Sequence, residues 1–237
     1  MNPEPVSVIL PTLNEYGNLR PLVEKITKII NPKEIIIVDD NSSDGTKSEA
    51  EKLSLKYSQV KTIINLPPLG LTLSIQKGIN ISSSPYLVWM DVDFSHPAEI
   101  LKIMMEKIPS ADIVTGSWLV EDGKDQRNEK LTKIMSFLVN KLCQFLFMRN
   151  ITAYTSGFIL IKRKLLANFH LKGDHGEYFI DLLVRKSADG CKIIEVPFIC
   201  RSRKKGLSKT APNLSVYIIR GLKYLNMIFS LRGFMFK

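Results

Sequence analysis

Cysteine is scarce in this chain. Cys143, Cys191 and Cys200 are the three among 237 residues, odd in number and widely spaced. That spacing fits neither a disulfide framework nor a zinc cluster, and a reduced, cytosolic compartment is the simpler reading. The three histidines, His96, His170 and His175, show no metal-binding spacing either. Long apolar runs are also lacking: no stretch reaches the roughly 20 uncharged apolar residues of a membrane-spanning helix. Met1-Asn2-Pro3-Glu4-Pro5 has no basic n-region, and Val6 to Leu10 is too short for a signal-peptide core. There is no internal repeat and no low-complexity linker. At 45% hydrophobic and 24% charged, the composition is that of a globular protein, which excludes a disordered chain, collagen or a coiled-coil rod. The length suits one large α/β domain, or one domain with a short appendage.

Negative charge is thin in the second half. Residues 1–118 hold 11 Lys and Arg against 14 Asp and Glu, a net of −3. The rest hold 22 against 9, a net of +13, which gives +10 overall. An anionic partner met mainly by the second half follows from this asymmetry. Nucleic acid, a membrane surface and a phosphorylated substrate all qualify by charge. No helix-turn-helix, zinc-finger or RNA-binding signature is present, so nucleic acid is not expected.

Strand and helix patterns alternate through the first part. Val6 to Leu10 reads as a buried strand stopped by Pro11, and Leu19 to Ile30 as a helix. Glu34 to Val38 is a strand running into Asp39-Asp40. A helix through Ala50, Leu53 and Tyr57, a strand from Val60 to Leu66, a helix from Leu71 to Ile81 and a strand from Tyr86 to Met90 follow. This order predicts βαβ units and a mostly parallel, Rossmann-like sheet flanked by helices. Ligands then bind beyond the carboxyl ends of the strands. Asn14-Glu15, Asp39-Asp40 and Asp91/Asp93 each stand at such an end. The second half is less regular: strands at Ile113 to Gly116, Gly157 to Ile161 and Lys192 to Val196, and helices at Leu131 to Met148, Phe179 to Ser187 and Ser215 to Leu231. The spacing predicts an α/β domain over 1–210 and a C-terminal amphipathic helix over 211–237.

Asp91-Val92-Asp93 carries the chemistry. Two carboxylates two residues apart project to the same side of a strand end and repel each other. A hard divalent cation relieves that conflict and can bridge phosphate oxygens. A solvated surface pair is the competing reading, and the apolar strand before it argues against that. Asp39 and Asp40 read either as helix-capping residues or as partners of a ribose or base. Asp44 reads as a turn residue, His96 as a packing residue before Pro97, and Trp89 and Trp118 as core or pocket wall.

Taken in order, several motifs resemble the family 2 glycosyltransferases, and within them the dolichol-phosphate (polyprenyl-phosphate) mannosyltransferase group. They are Val6 to Glu15, Ile36 to Thr46, Met90 to Pro97, Ala111 to Ser117, Thr155 to Phe158, Glu195-Val196-Pro197 and Arg203 to Lys209. The resemblance implies a GT-A fold and inverting transfer of a hexose from a nucleotide sugar, GDP-mannose or a UDP-hexose, to a polyprenyl phosphate with Mg2+ or Mn2+. It implies that Pro11, Leu13, Glu15, Asp39, Asp40, Asp91 and Val92 hold the nucleotide sugar. Asp91, Asp93 and Ser95 would hold metal. Arg127, Ser136, Arg203 and Lys209 would meet the acceptor phosphate or the diphosphate. Where the family has Arg after Gly116-Ser117, this chain has Trp118.

A phosphate acceptor is already ionised and needs no base, whereas a saccharide hydroxyl does. Asp181 is the late carboxylate in a plausible setting for that role. The basic stretch Arg201 to Lys209 predicts a phosphate-binding loop that moves on ligand binding. Phe145, Phe147, Met148, Phe229, Phe234, Met235 and Phe236, with Arg149, Arg220, Arg232 and Lys237 near them, predict docking at a membrane surface. The protein is then peripheral on the cytoplasmic face, and a membrane-protein partner stays open. Thermal unfolding separates these classes: GDP or UDP with Mn2+ should raise Tm, and an oligonucleotide should not.

Overall fold

The computed structural model describes residues 5–147, 150–205 and 214–234. The first half follows the predicted alternation. Strand β1 (Val6–Thr12), helix α1 (Tyr16–Ile30), strand β2 (Glu34–Asp39), helix α2 (Thr46–Lys56), strand β3 (Val60–Ile64), helix α3 (Leu71–Ile81) and strand β4 (Tyr86–Trp89) come in that order. Helix α4 (Ile100–Lys107), which the sequence pattern did not flag, leads to strand β5 (Ile113–Ser117). Then come strand β6 (Lys124–Gln126), helix α5 (Lys130–Leu146), strand β7 (Ile159–Lys162), helix α6 (Glu177–Ala188), strands β8 (Ile193–Pro197) and β9 (Ile199–Arg201), and helix α7 (Leu214–Ser230).

Seven strands form one sheet in the order β3-β2-β1-β4-β7-β5-β8. It is parallel except for β7, which runs antiparallel to both β4 and β5. Strands β6 and β9 pair as a separate parallel ribbon. These three-residue strands are too short for periodicity to reveal. Pro11 does not stop β1. The carbonyls of Val6 and Thr12 accept from the β2 side, so the missing N–H of Pro11 faces β4. Pairing with β4 has already ended there, at Ile9 opposite Trp89.

Alternation along the buried strands makes two cores, one on each face. Val6, Val8 and Leu10, with Ile35 and Ile37, pack under α1, α2 and α4. Ile9, Ile36 and Val38 pack under α3, α5, α6 and α7. Gly78 lets α3 lie against β1, because a Cβ there would run into the Ile9 side chain. Ile228 and Leu231, fully buried, anchor the end of α7 in the second core. No helix among the described residues is long and apolar enough to cross a membrane.

At the amino end of the sheet, Glu34 is a buried staple. Its carboxylate accepts from Ser7 Oγ, from Ser83 N at 2.6 Å and from Lys61 Nζ at 2.6 Å. Burial alone would raise its pKa, but Lys61, Ser7 and Ser83 hold it down at about 2. A folded pKa below the unfolded value of 4.5 means stability that is full above pH 4.5 and lost as pH falls through about 2. Glu34→Gln should therefore cost on the order of 3 kcal/mol at pH 7. In urea titrations that difference from the parent protein should shrink steadily between pH 5 and pH 2.

Candidate active site

The chain reverses direction across the sheet between β1 and β4, and a crevice opens beyond their carboxyl ends. Asp91 and Asp93 stand there, in the turn after β4. His96 Nδ1 accepts from Asp91 N at 3.0 Å and so closes that turn. The imidazole is itself fixed, stacked on Phe158 at 4.9 Å and edge-on to Phe198 at 5.6 Å. Asp93 Oδ1 accepts from Ser95 N at 3.0 Å, a geometry that puts Phe94 at φ 68°.

The two carboxylates differ in setting. Asp93 is 8% exposed, whereas Asp91 opens onto solvent at the cavity floor. Protein nevertheless surrounds Asp91, and this burial raises its carboxyl above the usual range. Asp93 adds to the rise, and His96 and Arg203 oppose it. Arg203 supplies the opposite charge, with Nη2 at 3.1 Å from Asp93 Oδ2 and Nη1 donating to Glu15 Oε1 at 2.8 Å.

A cavity of about 280 Å3 spreads from this floor. Four arginines line it, Arg127, Arg201, Arg203 and, on α7, Arg220. Arg127 is gripped by Asp125, at 2.9 and 2.6 Å, and lies 5.1 Å from the centre of the Trp118 ring. The lining also includes α5 (Thr132, Met135, Ser136, Val139), the start of α6 (Tyr178) and further residues of α7 (Tyr217, Gly221, Tyr224). Ser136 Oγ lies 3.0 Å from Thr155 Oγ1. The Thr155 loop is held from behind. Glu195 accepts from Thr152 N and Oγ1 at 2.8 Å and from Ala153 N at 2.9 Å.

Asp91, Asp93, Ser95, Arg127, Ser136 and Arg203 all line this cavity. Pro11, Leu13, Glu15, Asp40 and Val92 do not. Val92 is buried in the first core, and Leu13 is 38% exposed. Two expectations need correction. Asp39 is fully buried, and its carboxylate accepts from Thr12 Oγ1 at 3.1 Å and from Ser42 N at 2.9 Å, so it braces a turn instead of facing a ligand. Asp181 is 1% exposed, accepts from Arg185 Nε at 2.7 Å and lies outside the cavity lining, so it is not placed as a base. Asp40 is taken up by Leu69 N at 2.7 Å and Gly70 N at 2.9 Å, which ties β2 to the loop before α3. Asp44 does hold its turn, through Thr46 N at 3.0 Å and Tyr16 N at 3.1 Å. Phe147 belongs to the core at 6% exposure, whereas Phe145 and Phe229 are exposed. Phe234 is half-buried under Arg185. Lys209, Met148, Arg149, Met235, Phe236 and Lys237 lie outside the described residues. Tyr178, Tyr217 and Tyr224 were missed as wall residues, because aromatics at helical spacing read as core.

Among the described residues, no group of three or more His, Cys, Asp or Glu is placed to ligate a metal. Two carboxylates with a nearby hydroxyl suit a hard cation that takes its other oxygens from water and phosphate.

The sequence matches the profile of glycosyl transferase family 2 over residues 7–169. The chain belongs to this family. A dolichol-phosphate mannosyltransferase of Pyrococcus furiosus is 32% identical over 210 residues, which cover 86% of this chain. The chain spans 58% of the length of that relative. The dolichol-phosphate mannosyltransferase of Saccharomyces cerevisiae is 27% identical, over 92% of this chain and 86% of its own. Among solved structures, glucosyl-3-phosphoglycerate synthase of Mycobacterium tuberculosis with Mn2+, UDP-glucose and phosphoglyceric acid superposes with a TM-score of 0.74. That match is 18% identical and covers 97% of this chain and 80% of that one. It establishes the GT-A fold for this family 2 chain. The same synthase has also been solved with Mg2+ and UDP, with a TM-score of 0.71 at 15% identity, over 97% of this chain and 80% of that one.

Glu195 gathers three donors, so its loss is costly. Glu195→Ala leaves the Thr152 and Ala153 N–H groups without an acceptor and should destabilise the fold by about 2–4 kcal/mol. Chemical denaturation at pH 7 measures this.

Proposed function

We propose that this chain transfers a hexose, mannose from GDP-mannose, to the phosphate of a polyprenol, with inversion and with Mg2+ or Mn2+. The observation that carries the reading is one cavity lined both by two carboxylates, Asp91 and Asp93, and by four arginines. The names of the curated relatives support the sugar and the acceptor. The metal-bound states of the structural neighbours support the cation.

Asp91 and Asp93 would hold the metal, with Ser95 beside them. When bound, the ion supplies positive charge to the departing diphosphate. The remaining work falls to the protein. Arg203 and Arg127 orient anionic oxygens by charge-assisted hydrogen bonds, and the pairing with Asp125 and Trp118 keeps the Arg127 guanidinium fixed. Ser136 and Thr155 place hydroxyls on the same side. No base is needed, because a phosphate monoester arrives ionised. A hydroxyl acceptor with UDP-glucose needs one, and the position of Asp181 speaks against that alternative.

The acceptor is a lipid, and the helices beside the cavity carry exposed apolar residues: Ile134, Phe137, Leu138 and Phe145 on α5, and Ile218, Ile219, Leu222 and Phe229 on α7. These faces lie in the headgroup layer of the cytoplasmic leaflet, which brings the polyprenyl phosphate to the cavity mouth.

A panel of radiolabelled nucleotide sugars with a short polyprenyl phosphate tests this. Label should enter the lipid extract from GDP-mannose and vanish with EDTA. Asp93→Ala should reduce kcat at least about 100-fold. Full activity in that variant, or label appearing only in a water-soluble saccharide, would overturn the reading.

A further inference from the structure

The segment from Arg203 to Lys205 is fastened over the carboxylates that the proposed function assigns to the donor. Arg203 forks between Glu15 Oε1, at 2.8 Å, and Asp93 Oδ2, at 3.1 Å. Lys204 N donates to Asp93 O at 2.9 Å, and its ammonium stands 4.8 Å from the centre of the Phe94 ring. Asn18 Nδ2 donates to Glu15 Oε2 at 2.8 Å and to Lys205 O at 3.2 Å. The Lys205 stem packs over Gly17, where a Cβ would come within 2.8 Å of it. Backbone, fork and stem together make a strap across the loop after β1 and the turn after β4.

A guanidinium only donates hydrogen bonds, so it needs the same Asp93 lone pairs as a metal would. A divalent ion and Arg203 on one carboxylate oxygen would also repel each other. We propose that Arg203 is an internal counter-cation. It pairs with Asp93 and Glu15 while the site is empty, and the metal with its nucleotide displaces it from Asp93. The freed guanidinium then meets phosphate oxygens. This rests on the reading of Asp91 and Asp93 as metal ligands.

The exchange keeps a cation on Asp93 in both states. Without the metal, Asp93 and Glu15 share the guanidinium of Arg203. With metal and diphosphate, the ion serves the aspartates and the diphosphate serves Arg203. Metal alone is held weakly, because it must displace Arg203 from Asp93 and then stands beside a guanidinium that keeps only Glu15 as its partner. Metal and diphosphate therefore load together. The strapped state also leaves Asn18 Oδ1 buried and without a partner among the described residues, so it is not the best-satisfied arrangement.

The test is Mn2+ titration of the full chain, read from the free-ion EPR signal, for the parent protein and Arg203→Gln. Without nucleotide, Arg203→Gln should bind Mn2+ about tenfold tighter, the factor expected from removing one charge-assisted competitor. Adding GDP or UDP should tighten Mn2+ binding more in the parent than in the variant. Should Arg203→Gln fail to fold, Arg203→Lys makes the same comparison, since a lysine cannot fork across both carboxylates. Equal or weaker Mn2+ binding in the variant overturns the counter-cation and leaves the metal reading standing. Mn2+ binding by neither protein, with or without nucleotide, sinks the metal reading and the counter-cation together.

Discussion

Asp91 and Asp93 repel each other at the end of β4, and the surroundings of the site are arranged around that repulsion. Neither carboxylate can be moved apart, because His96 closes the turn on the Asp91 N–H and Ser95 N pins Asp93. The imidazole that does this is clamped between Phe158 and Phe198. The turn is therefore rigid, and relief must come from a cation. In the described structure Arg203 provides it, and on the proposed function a divalent ion takes over.

The sheet makes this arrangement possible. Parallel strands β1 and β4 bring their carboxyl ends together, so Glu15 and Asp93 approach within the span of one guanidinium. The antiparallel β7 lies between β4 and β5, and the Thr155 to Gly157 segment leading into it forms part of the cavity lining. Glu195, on β8 beyond β5, fixes that approach by holding Thr152 and Ala153. Burial raises the Glu195 carboxyl, so its hydrogen bonds are made against a desolvation cost. A carboxylate kept at that cost acts as a brace for the loop.

Much of the fold could be read from the sequence, because apolar strands and 3.6-residue periodicity are local signals. The alternation from β1 to β4 is of this kind, as are Asp91 and Asp93 at a strand end. What escaped was which partner each residue takes. Pro11 looks like a stop until one knows that β4 has already ended beside it. Asp39 and Asp40 look equivalent, yet one is enclosed by Thr12 and Ser42 and the other by the backbone at Leu69 and Gly70. Asp181 looks like a base until Arg185, one helical turn on, takes it. Tyr178 and Tyr224 carry core-like periodicity, and only the packing of α6 on α7 turns them to the cavity. In each case the deciding partner is remote in sequence or hidden by an ordinary pattern.

The lopsided charge of the chain also takes its meaning from this geometry. A net of +10 invites a nucleic-acid reading when counted as one number. In the structure the acidic half supplies Asp91 and Asp93, and the basic half supplies Arg127, Arg203 and Arg220, around a single cavity. Opposite charges meeting in one cleft give a place where phosphate can be exchanged, since each anion that leaves one wall finds compensation on the other. The apolar faces of α5 and α7 beside that cleft add the second requirement of a lipid phosphate, a low-polarity approach for its tail. A nucleic acid would leave those faces wet and the acidic floor uncompensated. On the proposed function, the carboxylates, the arginines and the apolar faces of α5 and α7 suit a lipid-borne phosphate better than other polyanions.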